Sequence, residues 1–393
     1  MDGGETHLLE MNRLEVSIFS TIPLIETMPY KASRRQRQQS RKQRTRRGGH
    51  RAYRGGAEEV APYLRFPHLV EAFAGKAVLV TGGAGFIGSN LVDALLAAGA
   101  SKVRVLDNLV TGKRDNLRTA ETVGGARFEF VKGDITDVTV CRAVCKGMDV
   151  VYHEAALVSV PISMKDPVLN NDVNITGTLN MLIAASEAGV KRFVFASSAA
   201  TYGSRPGIPK RETDERQYPS PYALSKGVDE DYATLWASNP ALGGGMTCVG
   251  LRYFNVYGPR QDPTSPYSGV ISIFADRILK NRPVTFFGKG EQTRDFVFVA
   301  DVVQANLLAG LRDLPVGTTA RVYNVGTGSS VTLLELMTIM QEIMGKPVDA
   351  NFQNYRPGNI MDSASDIQRI QTELQYSPRF TLKEGLGYLL KSE

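Results

Sequence analysis

The sequence predicts an α/β protein built on a doubly wound parallel sheet with a smaller C-terminal lobe. Three observations predict it. Short apolar runs alternate with helix-length stretches between residues 76 and 252. A G-x-x-G-x-x-G spacing follows the first run and opens the first helix. After Asn255 the rhythm loosens, and turn-rich YGPRQDPTSPYSG interrupts it.

The elements follow in order. Lys76–Thr81 (KAVLVT) is an apolar run bounded by glycines, as a buried parallel strand requires. Phe86 to Ala98 reads as a helix closed by Gly99. Strands follow at Lys102–Leu106, Phe128–Lys132 and Asp149–His153. A helix from Asn174 to Ala188 stops at Gly189, and a fifth strand covers Lys191–Ala196. Tyr222–Ala237 is a helix and Thr247–Arg252 a sixth strand. Order is expected to begin near Gly75, with residues 75–255 as the nucleotide-binding domain and 256–393 mainly as a second lobe.

Residues 1 to about 70 have a different character. Eleven Lys and Arg lie between Lys31 and Arg54 with no acid among them, and such a segment is expected to be disordered. Removing those eleven from the net charge of +6 leaves −5, so the remainder is not a globally basic nucleic-acid binder. Nucleic acid is expected only as a non-specific contact of this basic arm. The apolar stretch Val16–Ile25 is too short to span a membrane, and it precedes the basic run instead of following one as in a secretory signal. No run of eighteen apolar residues occurs elsewhere. Three cysteines, Cys141, Cys145 and Cys248, fit a reducing compartment and a cytoplasmic location. Four histidines without paired spacing predict no metal site.

TGGAGFIGSN places Gly82, Gly85 and Gly88 between strand and helix. The first allows a tight turn, the second lets backbone approach a pyrophosphate, and the third lets helix pack on strand. Helix N–H groups then face the phosphates. Asp107 ends the second strand, where a carboxylate accepts from the adenosine ribose hydroxyls and repels a 2′-phosphate, favouring NAD over NADP. Lys113 and Arg114 lie close enough in sequence to soften that preference. Asp134, after the third strand, is placed to reach the adenine or to cap a turn. The sheet is therefore of the Rossmann type.

Tyr222 and Lys226 are four apart at the start of a helix and share its face. An ammonium beside a phenol favours the phenolate, a base for a sugar hydroxyl near neutral pH. Ser197 and Ser198 end the fifth strand at the same edge of the sheet.

These motifs, with LDNL–TGK, GDI, HEAA, SSAATYG, SPYALSK, LRYFNVYGPRQDP, TRDFVFV–DV and RPGN, resemble the extended short-chain dehydrogenase/reductases. Within that family they resemble the NAD-dependent nucleotide-sugar 4-epimerases. The resemblance runs from about Gly75 to the C-terminus. It implies that Ser198 bonds the reacting hydroxyl, Tyr222 is the base and Lys226 holds the nicotinamide ribose. It extends the NAD contacts to Phe86, Ile87, Asn108, Gly112, Ile135, Ala155, Ala156 and Asn174, the last steadying the site. Ser159, Asn255, Arg294, Arg356 and Ser363 would meet the UDP-sugar. A homodimer is also implied, through a four-helix bundle of the helices near Asn174 and Tyr222.

The reaction implied is 4-epimerisation through a transient 4-keto sugar. Related dehydratases carry an Asp–Glu pair directly after the active-site Ser/Thr, where this chain has Ala199 and Ala200. A decarboxylase of a UDP-uronate shares the Ser/Tyr/Lys core and stays open, as does epimerisation of UDP-glucose or UDP-glucuronate. A non-catalytic NAD sensor would have lost residues that this chain retains. Ser363 stands seven after Arg356, where relatives restricted to plain hexoses carry a tyrosine. A serine leaves room for an N-acetyl group, so UDP-GlcNAc/UDP-GalNAc is the expected pair. HEAALVSVPISMKDP also resembles bacterial UDP-N-acetylglucosamine 4-epimerases, although Val158 replaces their glycine.

Overall fold

The structure, a computed structural model, describes residues 59–262, 269–315, 317–355 and 361–390. The basic run between Lys31 and Arg54 and the expected substrate residue Arg356 lie outside the described residues.

The chain winds through β1 (Ala77–Thr81), α1 (Phe86–Ala97), β2 (Lys102–Asp107), α2 (Arg118–Gly124), β3 (Phe128–Lys132) and α3 (Val138–Cys145). It continues with β4 (Val150–His153), α4 (Val160–Lys165), α5 (Pro167–Asn170), a π-helical turn (Asn171–Thr176) and α6 (Gly177–Glu187). Then come β5 (Arg192–Ser198), α7 (Pro221–Ser238), α8 (Pro240–Gly243) and β6 (Thr247–Tyr253). The strands form one parallel seven-stranded sheet, β3-β2-β1-β4-β5-β6, closed by a strand at Ala320–Val325. The order reverses between β1 and β4, the crevice where open α/β sheets bind ligands.

Both faces of the sheet are covered, which explains the continuous apolar runs. In β1, Val78 and Val80 join the core beneath α1, while Leu79 joins the other core, with Cys141, Met181 and Trp236 of α3, α6 and α7. The three cysteines are free and buried, and burial pushes their thiols up to about 12. Among the described residues no helix is long and apolar enough to cross a membrane.

Three boundaries differ from the sequence reading. The packed chain begins before Gly75: Val60, Tyr63, Leu64, Phe66, Leu69 and Phe73 are buried in the core beneath α1. Two X-Pro turns, at Pro62–Leu64 and Pro67–Leu69, aim these side chains inward without the periodicity that marks a helix or strand. The helix expected from Asn174 starts earlier, because Asp166 caps Leu169 N at 2.9 Å and Pro167 takes the first helical position.

The third difference concerns the C-terminal part. After β7 (Asn255–Tyr257), α9 (Val270–Leu279), β8 (Val284–Phe287), β9 (Thr293–Arg294) and β10 (Phe296–Phe298), the chain returns to the sheet. It does so through α10 (Val299–Leu311) and β11 (Ala320–Val325), which pairs with β6 over its whole length. α10 is buried along most of its residues, so residues 299–325 belong to the nucleotide-binding sheet.

Candidate functional site

The dinucleotide loop fits its role residue by residue. Gly82 has φ +66°, and a Cβ there would sit 2.7 Å from Ala155 N, so only glycine brings the turn this close to the chain after β4. A Cβ on Gly88 would strike the Gly82 carbonyl. Gly85 precedes α1, so Phe86 and Ile87 begin the helix with their N–H groups toward the loop. These glycines form the cradle that a pyrophosphate requires.

Asp107 is buried at the end of β2. Its Oδ2 accepts from Ala84 N at 2.9 Å and its Oδ1 from Leu109 N at 2.8 Å. Gly112 passes over this carboxylate, where a Cβ would lie 2.7 Å from Oδ1. Lys113 pairs with Asp262 at 2.9 Å, and Arg114 pairs with Glu121 and lies over the Phe130 ring. Both cations thus have other partners, and the carboxylate sets the charge at this corner. Asn108 donates to Asp134 Oδ2 at 2.7 Å, and Thr136 donates twice to Oδ1. Burial would raise the Asp134 carboxyl, but these bonds outweigh it and hold it below the ordinary range. Ile135 is buried, its carbonyl accepting from Asn180 at 3.0 Å.

Ser198 is the last residue of β5, in register with Tyr253 of β6. Its Oγ accepts from Ala200 N at 3.1 Å, capping the turn Ala199–Tyr202. Ser197, one step back on the pleat, is buried and donates to Glu230 at 2.5 Å. Of the two serines, only Ser198 remains for the site.

α7 starts sharply because Ser220 caps Ala223 N at 3.2 Å and Pro221 takes the first position. Tyr222 and Lys226 follow on its buried face. Lys226 Nζ donates to Ala196 O at 2.8 Å, which fixes α7 against the end of β5 two residues before Ser198. Asn174 lies in the π-turn. Its Oδ1 accepts from Leu157 N at 2.7 Å, and its amide donates to Leu157 O, Asn170 Oδ1 and Ser225 Oγ within 3.2 Å. Its polar atoms are engaged by protein, and it steadies the strap after β4 against α7. That strap carries Ala155 and Ala156; Ala155 N donates to Thr81 Oγ1 at 3.2 Å.

The substrate candidates lie on several segments. Asn255 is exposed, and its N–H donates to Asp295 O at 3.0 Å. Arg294 Nη1 donates to Thr293 O at 2.7 Å and Met361 O at 3.3 Å, beside the segment that carries Ser363. Burial lowers the Arg294 guanidinium from its ordinary range. Ala364 and Asp366 bond to the Lys210 backbone at 2.8 Å, so half-buried Ser363 is held between β9 and the loop after β5. Ser159 caps α4, accepting from Ile162 N at 3.1 Å.

The sequence reading missed a polar layer behind these groups. His153 bonds Thr81 at 2.8 Å and Thr178 at 3.1 Å, and burial, with the Lys226 charge, pushes its imidazole down to about 3. Glu154 accepts from Tyr253 Oη at 2.8 Å, and burial raises its carboxyl to about 7. Glu230 forms a buried fork with Arg252 at 2.8 and 2.7 Å. Asp229 faces Lys226 at 3.6 Å. One signal pointed to the last two: 222, 226, 229 and 230 share a helical face.

The fold and this edge define an NAD-using enzyme of the short-chain dehydrogenase/reductase type. The chain belongs to the NAD dependent epimerase/dehydratase family, whose model matches residues 78–326, and NAD is its cofactor. It is 40% identical to the UDP-glucose 4-epimerase of Mycolicibacterium smegmatis over 79% of this chain and 96% of that one. A UDP-N-acetylglucosamine 4-epimerase from Methanobrevibacter ruminantium, solved with UDP-N-acetylmuramic acid, has a TM-score of 0.75 and 36% identity, covering 81% of this chain and 98% of that one. A Thermus thermophilus UDP-glucose 4-epimerase, solved with NAD, has a TM-score of 0.70 and 38% identity over 80% and 98%.

Proposed function

We propose that this chain is a UDP-sugar 4-epimerase acting on the UDP-GlcNAc/UDP-GalNAc pair. The observation that carries it is the Tyr222–Lys226 pair fixed by Ala196 O beside Ser198. When bound between the Gly82–Gly88 cradle and Asp107, NAD supplies the hydride acceptor and donor. Tyr222 takes the proton from the sugar 4-hydroxyl, with Ser198 Oγ bridging, and returns it after the 4-keto sugar turns. Lys226, held at Ala196 O, favours the phenolate and reaches the ribose. Asn255, Arg294 and Arg356 hold the diphosphate while the sugar turns; an arginine fork matches two of its oxygens. No acid stands in the turn Ala199–Tyr202, so the residues that follow Ser198 supply no proton to a C6 leaving hydroxyl.

The acetylated substrate rests on Ser363, a small half-buried residue two positions after Met361, whose carbonyl accepts from Arg294. Parallel incubation with UDP-GlcNAc, UDP-glucose and UDP-glucuronate, resolved by NMR, should show UDP-GalNAc as the main product. Ser363→Tyr should abolish that reaction while sparing UDP-glucose; equal loss on both removes the gate.

We also infer a homodimer through α5–α6 and α7. Leu224 and Leu235 are exposed eleven residues apart on one face of α7, and Val168 and Leu169 are exposed on α5. A monomeric mass by light scattering at micromolar concentration would overturn this.

A further inference from the structure

Asp229 is an unexplained group. It is 1% exposed on α7, three residues after Lys226. No hydrogen bond of ordinary geometry reaches either carboxyl oxygen; Lys226 Nζ stands 3.6 Å from Oδ2, and the Thr178 hydroxyl also pulls on the carboxyl. A buried carboxylate with such weak support is costly, and a protein that keeps one beside its reacting groups calls for a reason.

The surroundings show what its charge acts on. On its own helix it faces Lys226 and has Glu230 as neighbour, the latter forked onto Arg252 of β6. From α6 comes the Thr178 hydroxyl, which also bonds His153 at 3.1 Å. From β4 come His153, held neutral by burial, and Glu154, hydrogen-bonded by Tyr253; both feel the Lys226 charge. Lys226 spends one N–H on Ala196 O, and its charge acts on His153, Glu154 and Asp229.

Resting on the reading of Tyr222 as the base, we propose that Asp229 is a positioning residue: its carboxylate is the counter-charge that limits how strongly Lys226 stabilises the Tyr222 phenolate. The sign follows from charge. A positive charge beside a phenol favours the phenolate, and an ionised carboxylate behind that charge offsets part of its field. Burial pushes the Asp229 carboxyl up to about 7, against the pull of Lys226 and Thr178. Coupling between a carboxyl and a base that share one ammonium broadens the acid limb of a pH–rate profile.

The test is the pH profile of kcat/KM for UDP-GlcNAc and UDP-glucose in wild type, Asp229→Asn and Asp229→Ser, with Tyr222→Phe in parallel. The asparagine keeps shape and removes charge; the serine removes charge by a second route. Both charge-removing variants should carry the acid limb to lower pH, by about one unit, with a steeper slope and unchanged NAD affinity by fluorescence. An acid limb at the wild-type pH in either folded variant overturns the proposal while leaving Tyr222 as the base. Undiminished activity of Tyr222→Phe overturns the base assignment, and the proposal with it.

Discussion

The carboxyl edge of β1, β2 and β5 and the segment around Arg294 and Ser363 are built in opposite ways. At the edge, each group stands at the end of its own element. Asp107 closes β2, Ser198 closes β5, and Tyr222 and Lys226 are one helical turn apart after a Ser-Pro start. On the proposed substrate side, position comes from ties between distant segments. Lys210 is bonded to Ala364 and Asp366, and buried Asn324 gathers the knot. It accepts from Tyr202 Oη at 2.6 Å and donates to Lys210 O at 2.8 Å and Asp366 O at 3.1 Å. The cofactor side is thus fixed by local geometry, and the proposed substrate side by a shared polar network. Damage to the second should change sugar recognition before it changes NAD binding.

That contrast can be broken most forcefully behind the cofactor edge. Glu230 holds Ser197 of β5, Arg252 of β6 and, at 3.4 Å, Arg216. Glu230→Ala leaves the Arg252 guanidinium buried without its fork, and should cost about 3–5 kcal/mol of stability by denaturant titration. A loss below 1 kcal/mol would show that the network is not what holds α7 on the sheet. Asn324→Ala comes next, because it strips three hydrogen bonds from the knot; about 1–3 kcal/mol is expected. Its sharper readout is kinetic. KM for the sugar nucleotide should rise severalfold with NAD affinity unchanged, whereas equal loss of both would erase the distinction between the two regions. The Ser363→Tyr exchange is expected to be the smallest change in the fold and the most selective, since the Ser363 side chain makes none of the bonds of the network or the edge.

Legibility follows the same division. The six strands through Tyr253 were readable to within two residues at their ends, because buried parallel strands are continuous apolar runs between glycine and turn signals. Gly82, Asp107, Tyr222 and Lys226 were readable because their spacing is the geometry itself. Val60 to Phe73 were not: their apolar residues follow X-Pro turns with no period, and a charged run precedes them in sequence. The return of the chain to the sheet at α10 and β11 was hidden by the turn-rich stretch before it. Asn174 was placed at a helix start because a π-turn has no sequence period of its own. Asp229 and Glu230 share a helical face with Tyr222 and Lys226, but spacing alone does not show the burial of Asp229, Glu230 and Glu154 against Lys226, Arg252 and Tyr253.

In the proposed reaction Tyr222 moves the proton while hydride leaves one face of the sugar and returns to the other. Incubation of the purified protein with UDP-GlcNAc deuterated at C4, followed by NMR, decides this. The expected result is the 4-epimer with deuterium retained at C4, no net accumulation of NADH, and a loss of rate of about 10²–10⁴ in Tyr222→Phe. Deuterium exchanged into water, NADH formed in step with product, or an undiminished Tyr222→Phe enzyme would contradict it.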